Sequence, residues 1–124
     1  MVEAAEYLDV RPDTAKSWWI GRRTCPESVI DELLRLSIRQ DVAAQESSRV
    51  IQNLAQKNGA PENIEIGIAT DDHEAQHLGW PSIGAHAAVL RKTIKLLPPE
   101  LAVLVRVVPR GTTTATAAAE LRDN

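Results

Sequence analysis

From Pro26 to Lys57 the chain carries no glycine and no further proline, and its aliphatic residues recur at helical spacing. Val29, Ile30, Leu33, Leu34 and Leu36 open the stripe, and Ile38, Val42, Val50, Ile51 and Leu54 continue it past a polar stretch at Gln45–Arg49. One uninterrupted helix follows from that pattern, stopped by Asn58-Gly59. At ~1.5 Å per residue it reaches nearly 50 Å. A helix of that length in a chain of 124 residues leaves its own domain and links to something else.

What flanks the helix differs on its two sides. Upstream, Glu3 to Leu8 reads as a short helix with Ala4, Ala5 and Leu8 on one side, and Asp9-Val10-Arg11-Pro12 breaks it. Pro12 suits the first turn of a new helix, where a missing N–H costs nothing. That helix runs to Ile20 and stops at Gly21. Downstream, Ile64, Ile66 and Ile68 alternate with Glu65 and Gly67, a strand signal. Asp71 to Gly79 is polar, a loop or a short helix. Ser82 to Leu97 is helical, with Ile83, Ala87, Leu90 and Ile94 on one face, and Pro98-Pro99 ends it. Leu101 to Val108 is apolar on both faces and is expected as a buried strand. Thr112–Ala119 is low-complexity Thr and Ala.

Composition narrows the class. Phe is absent, and Tyr7, Trp18, Trp19 and Trp80 are the only aromatics, so the core is aliphatic. The single cysteine, Cys25, excludes an internal disulfide and a cysteine-rich zinc site. No apolar run approaches the ~20 residues of a membrane span, and the first residues show no basic-then-apolar leader. A cytoplasmic protein with no membrane partner is the expectation. The formal net charge of −3 speaks weakly against nucleic acid, but binding depends on local patches. Arg11, Lys16, Arg22 and Arg23 stand against Asp13 alone, a local charge of +3 between residues 11 and 23.

A short helix, a tight turn and a second, basic helix make a helix-turn-helix pattern. Ala5 is small where the two helices approach. Val10 plugs the angle between them, and Ala15 and Trp18 face inward. Asp13, Thr14, Lys16 and Ser17 are then left near the start of the second helix, the end that enters a major groove. Arg11, Arg22 and Arg23 flank it, placed to neutralise phosphates.

The run Glu3-Ala4-Ala5-Glu6-Tyr7-Leu8-Asp9-Val10-Arg11-Pro12-Asp13-Thr14, followed by Trp18, Gly21 and Pro26, resembles the Cro/CI-type helix-turn-helix superfamily. Within it the chain is most similar to the small autorepressors called anti-CRISPR-associated regulators and their phage and bacterial relatives. Gly79-Trp80 and the two flanking strands extend the likeness to the C-terminal half, which in that family builds a dimer. Two positions depart from the pattern: Trp19 stands where Glu is usual, and Arg11 where Ser is usual. The chain also starts almost inside the family's second helix, so the first helix is lacking or truncated. The resemblance implies base contacts from Asp13, Thr14, Lys16 and Ser17, and phosphate contacts from Arg11, Arg22 and Arg23. Lys16 suits guanine O6 and N7, and Asp13 suits the cytosine amino group.

The sequence expectation is therefore an α+β protein. Residues 1–44 form a helix-turn-helix DNA-binding domain. Residues 45–111 hold the end of the linking helix and a β-α-β dimerisation module, and residues 112–124 a flexible tail. The expected function is sequence-specific binding of double-stranded DNA by a homodimeric, self-regulating repressor on an inverted repeat. No catalytic residue, metal or cofactor is assigned. The alternative is an antitoxin-like module that binds a partner protein through its C-terminal half.

A lesser alternative is a small zinc hydrolase. His73-Glu74-Ala75-Gln76-His77 matches H-E-x-x-H, whose two histidines bind zinc from one helix face while the glutamate acts as base. His86, Glu100 or an acidic neighbour would supply the third ligand. The segment has room for two helical turns at most and no apolar backing, which favours a solvated helix end. Cys25 beside Arg22 and Arg23 has the surroundings of a redox-sensitive thiol, but a small half-buried residue ahead of Pro26 is the simpler reading. Trp80 reads as packing for the C-terminal module. Arg91, Lys92 and Lys95 read as a solvated helix face.

Overall fold

The computed structural model describes residues 2–59 and 61–110. The order of elements is α1 (Val2–Tyr7), α2 (Pro12–Trp19), α3 (Glu27–Asn58), β1 (Ile64–Ile68), α4 (Asp72–His77), α5 (Ile83–Leu96), α6 (Pro99–Ala102) and β2 (Val105–Pro109). Helices with one small two-stranded parallel sheet make the protein α+β. The chain divides into two compact units between Arg39 and Gln40, inside α3. The residues expected as a flexible tail lie outside the described ones.

In the first unit α1 packs on α2 through small residues, with Ala5 and Ala15 buried. The Tyr7 hydroxyl donates to the Glu32 carboxylate, which ties α1 to the start of α3. Burial first, and that hydrogen bond second, hold the Tyr7 pKa above its ordinary value.

In the second unit polar groups join α3 to α5. Gln40, Ala44 and Ser48 are the buried face of α3. The Gln40 amide donates to the Ala85 carbonyl at 3.0 Å, and Lys92 pairs with Asp41. Ala44 and Ser48 are small, and the buried residues of α5 are His86, Val89, Leu90 and Thr93. The aliphatic stripe read from the sequence is largely not the buried one. Ile30, Leu34, Ile38, Val42, Val50 and Leu54 are all exposed. The helix itself formed as expected, because its continuity needs only the absence of breakers.

α4 and α5 start on side-chain caps. The Asp71 carboxylate accepts from the Glu74 N–H at 2.7 Å, and the Ser82 hydroxyl from the Ala85 N–H at 3.2 Å. α4 thus settles the segment that the sequence left between loop and helix. β1 and β2 are parallel, with Ile64 beside Val105 and Ile68 beside Pro109. Parallel strands need a crossover, here supplied by α4, α5 and α6. The expected strand over Leu101–Val108 is corrected at both its start and its burial. Pro99 opens a further helical turn, so the strand begins at Val105. Arg106 and Val107 lie exposed, since a two-stranded sheet has too little layering to cover both faces.

Candidate nucleic-acid interface

Two similar helix ends shape the first unit. At the end of α1, the Val10 N–H donates to the Ala5 carbonyl at 2.9 Å and the Asp9 N–H to the Glu6 carbonyl at 3.2 Å. This is the Schellman arrangement, which needs a left-handed residue between helix and exit. Asp9 occupies it with φ of 55°. Asp tolerates that region better than most residues, though less well than glycine. Val10 is half-buried at the turn, as its plugging role requires.

α2 begins at once. Arg11 is its N-cap in extended conformation, makes no side-chain cap bond, and is followed by Pro12 in the first turn. The second Schellman end closes α2. The Arg22 N–H donates to the Ser17 carbonyl at 2.9 Å and the Gly21 N–H to the Trp18 carbonyl at 3.2 Å. Gly21 takes φ of 78°. The Arg23 N–H shares the Ser17 carbonyl at 3.2 Å. The backbone of both arginines is thereby fastened to the last turn of α2.

The result is a concavity of about 470 Å³ lined by Arg11, Asp13, Thr14, Lys16, Ser17, Ile20, Arg22 and Arg23. All seven residues singled out from the sequence line it. Arg11, Asp13, Lys16, Arg22 and Arg23 are exposed, and Thr14 is half-buried. Ser17 differs from the rest: it is buried, and its hydroxyl donates to the Thr14 carbonyl at 2.7 Å. Its side chain is spent inside the helix, so it shapes the wall rather than reaching outward. Ile20 was missed by the sequence reading and is 52% exposed. Its position seven residues after Asp13 and four after Lys16 was the available signal. Trp18 is half-buried, as expected of an inward residue, while Trp19 is exposed. Cys25 is half-buried, and its thiol points at the Pro26 carbonyl at 3.8 Å.

His73 and His77 share a face of α4 with ring centroids 5.2 Å apart, and both are exposed. Glu74 is occupied: its carboxylate accepts from the Thr70 hydroxyl at 2.8 Å and lies 4.0 Å from the Arg110 guanidinium. His86 is buried, and its Nδ1 accepts from the Ala69 N–H at 3.1 Å. Burial, then the Arg110 charge, lower the His86 pKa, with Glu74 acting in the opposite direction. Among the described residues no three His, Cys, Asp or Glu side chains gather to hold a metal ion. No helix among them is long and apolar enough to cross a membrane.

No protein-family model, curated protein or solved structure matches the chain.

Proposed function

We propose that this chain is a sequence-specific DNA-binding transcriptional regulator, acting as a homodimeric repressor on an inverted repeat. In this reading α1 and α2 form a helix-turn-helix, and α2 enters the major groove. The observation that carries it is the concavity on α2, where Arg11, Lys16, Arg22 and Arg23 meet around Asp13 and Thr14. Four cations on so small a surface suit a polyanion, and phosphate contacts set affinity and register. Lys16 and Asp13 face outward with the chemistry to read base edges. Repression is steric, two α2 helices occupying successive major grooves and blocking polymerase. Control of its own operon rests on the resemblance to the Cro/CI-type autorepressors.

The test is fluorescence anisotropy on a duplex from upstream of the chain's own gene, beside a scrambled duplex, at two salt concentrations. Preference for the upstream duplex, with Lys16→Ala costing about 1–3 kcal/mol of that preference, supports the reading. Equal and strongly salt-dependent binding to both duplexes leaves only phosphate contact. No binding to either rejects it and brings forward the second reading, a module that binds a partner protein. That alternative acts through the C-terminal half, and the exposed Leu96, Val103 and Val107 there favour it.

A further inference from the structure

With six residues, α4 is shorter than a helix that persists on its own. It is held at both ends. The Asp71 carboxylate caps its first turn. At its exit the Trp80 N–H donates to the Ala75 carbonyl and the Gly79 N–H to the Gln76 carbonyl, both at 3.0 Å, with Gly79 left-handed at φ of 91°. Ala75, fully buried, anchors its inner face.

The polar neighbours of the two α4 histidines are engaged elsewhere. The Asp72 carboxylate accepts from the Ile83 N–H at 2.9 Å, and the Gln76 amide donates to the Pro81 carbonyl at 3.3 Å. Both carboxylate oxygens of Glu74 are occupied, Oε2 by the Thr70 hydroxyl and Oε1 by the Arg110 guanidinium. His73 and His77 stand apart from this. They are exposed, and their spacing of four residues puts them on one helix face. Their rings contact each other, and among the described residues no hydrogen bond claims either one.

The separation of the rings is chemically informative. Their centroids lie 5.2 Å apart. Two imidazoles that share one tetrahedral zinc ion, through Zn–N bonds of about 2.0–2.1 Å, hold their ring centres about 5 Å apart. Imidazole nitrogen suits zinc, whereas magnesium and calcium take oxygen ligands.

We propose that His73 and His77 chelate one zinc ion on the outer face of α4, with water completing its coordination. The site binds the ion and does not hydrolyse a substrate. In an H-E-x-x-H helix the glutamate must be free to act as base, and Glu74 is held by Thr70 and Arg110 instead. The two metal–nitrogen bonds span a turn of α4 and reinforce what its caps begin. Zinc that binds only the folded chain thereby stabilises it. The reading of α2 as a DNA-binding helix plays no part in this site.

The test is isothermal titration calorimetry of zinc chloride into the full, untagged chain in a non-chelating buffer. One zinc per chain is expected, and magnesium chloride is expected to give no binding. His73→Gln and His77→Gln alter exposed side chains and leave both caps intact. Each is expected to weaken zinc at least about tenfold, the effect of merely disturbing a ligand's support. Asp71→Ala keeps both ligands and loosens α4, so it weakens zinc less than the loss of either histidine. Cys25→Ser and Glu74→Gln leave the affinity unchanged. Saturating zinc raises the Tm of the wild type and not that of His77→Gln. A wild-type chain that takes up no zinc overturns the proposal. So does binding that survives the loss of both histidines, or binding that disappears in Cys25→Ser.

Discussion

The two units solve the problem of a small core in opposite ways. The first, up to Arg39, buries two alanines and a serine, and takes its form from backbone caps that turn the chain at Asp9 and Gly21. Its charges point outward and gather on α2. The second, from Gln40, buries polar groups in numbers, among them Gln40, Ser48, His86 and Thr93, and each has a hydrogen-bond partner. No buried side-chain polar atom among the described residues lacks a partner. Apart from the Tyr7–Glu32 tie, one unit is set by hydrogen bonds near in sequence, the other by contacts such as Gln40 to Ala85 and Ala69 to His86. A chain with so few aromatics has little apolar volume to spend, and satisfied polar packing and tight caps are the routes that remain.

The difference predicts where substitutions act. The largest effect is expected at His86. His86→Leu leaves the Ala69 N–H buried without an acceptor, at a cost of about 1–3 kcal/mol, read as a lowered urea midpoint. The same residue gives the second unit a pH dependence. Its folded-state pKa lies below the ordinary value of about 6.5, so the unfolded chain takes up the proton first. Stability is full above that value and is lost as pH falls through it toward the folded pKa. A protonated imidazole also has no lone pair for Ala69. Urea midpoints at about pH 7 and about pH 5 are expected to differ for the wild type more than for His86→Gln.

In the first unit the informative changes are at caps. Arg11→Ser supplies the missing side-chain cap of α2 and is expected to raise stability by about 1 kcal/mol. It removes a cation from the concavity as well, so the salt dependence of DNA binding should fall by a slope of about 1. Opposite signs in thermal unfolding and anisotropy would separate the fold's need at this position from the interface's. Asp9→Gly relieves a left-handed non-glycine residue and is expected to add at most about 1 kcal/mol, visible as a small rise in Tm with no change in affinity. The smallest effect belongs to Ser17→Ala. Its hydroxyl serves the Thr14 carbonyl, so stability should shift by less than about 1 kcal/mol and DNA affinity should hold.

Much of the backbone was legible beforehand, for identifiable reasons. Pro12 and Gly21 bracket α2, Asn58-Gly59 ends α3, and the alternation from Ile64 to Ile68 is β1. These are local rules of φ, N–H supply and periodicity, and they act within a few residues. α6 was not legible, because Pro98-Pro99 reads equally as a stop and as the first turn of a helix. The residues of the concavity were legible as a charge cluster. That Ser17 turns inward and Ile20, the residue that caps α2, outward was not, since they lie within one turn of each other and only the packing of α1 distinguishes them.

The sequence alone determined the length of α3, the turn positions and the clustering of Arg11, Lys16, Arg22 and Arg23, all properties of neighbours along the chain. Tertiary structure alone decided which face of α3 is buried. Aliphatic periodicity pointed to Ile30, Leu34 and Val42, whereas the buried residues are Gln40, Ala44 and Ser48. Burying Gln40 needs a partner for its amide, and the Ala85 carbonyl becomes one only once a particular second helix lies alongside.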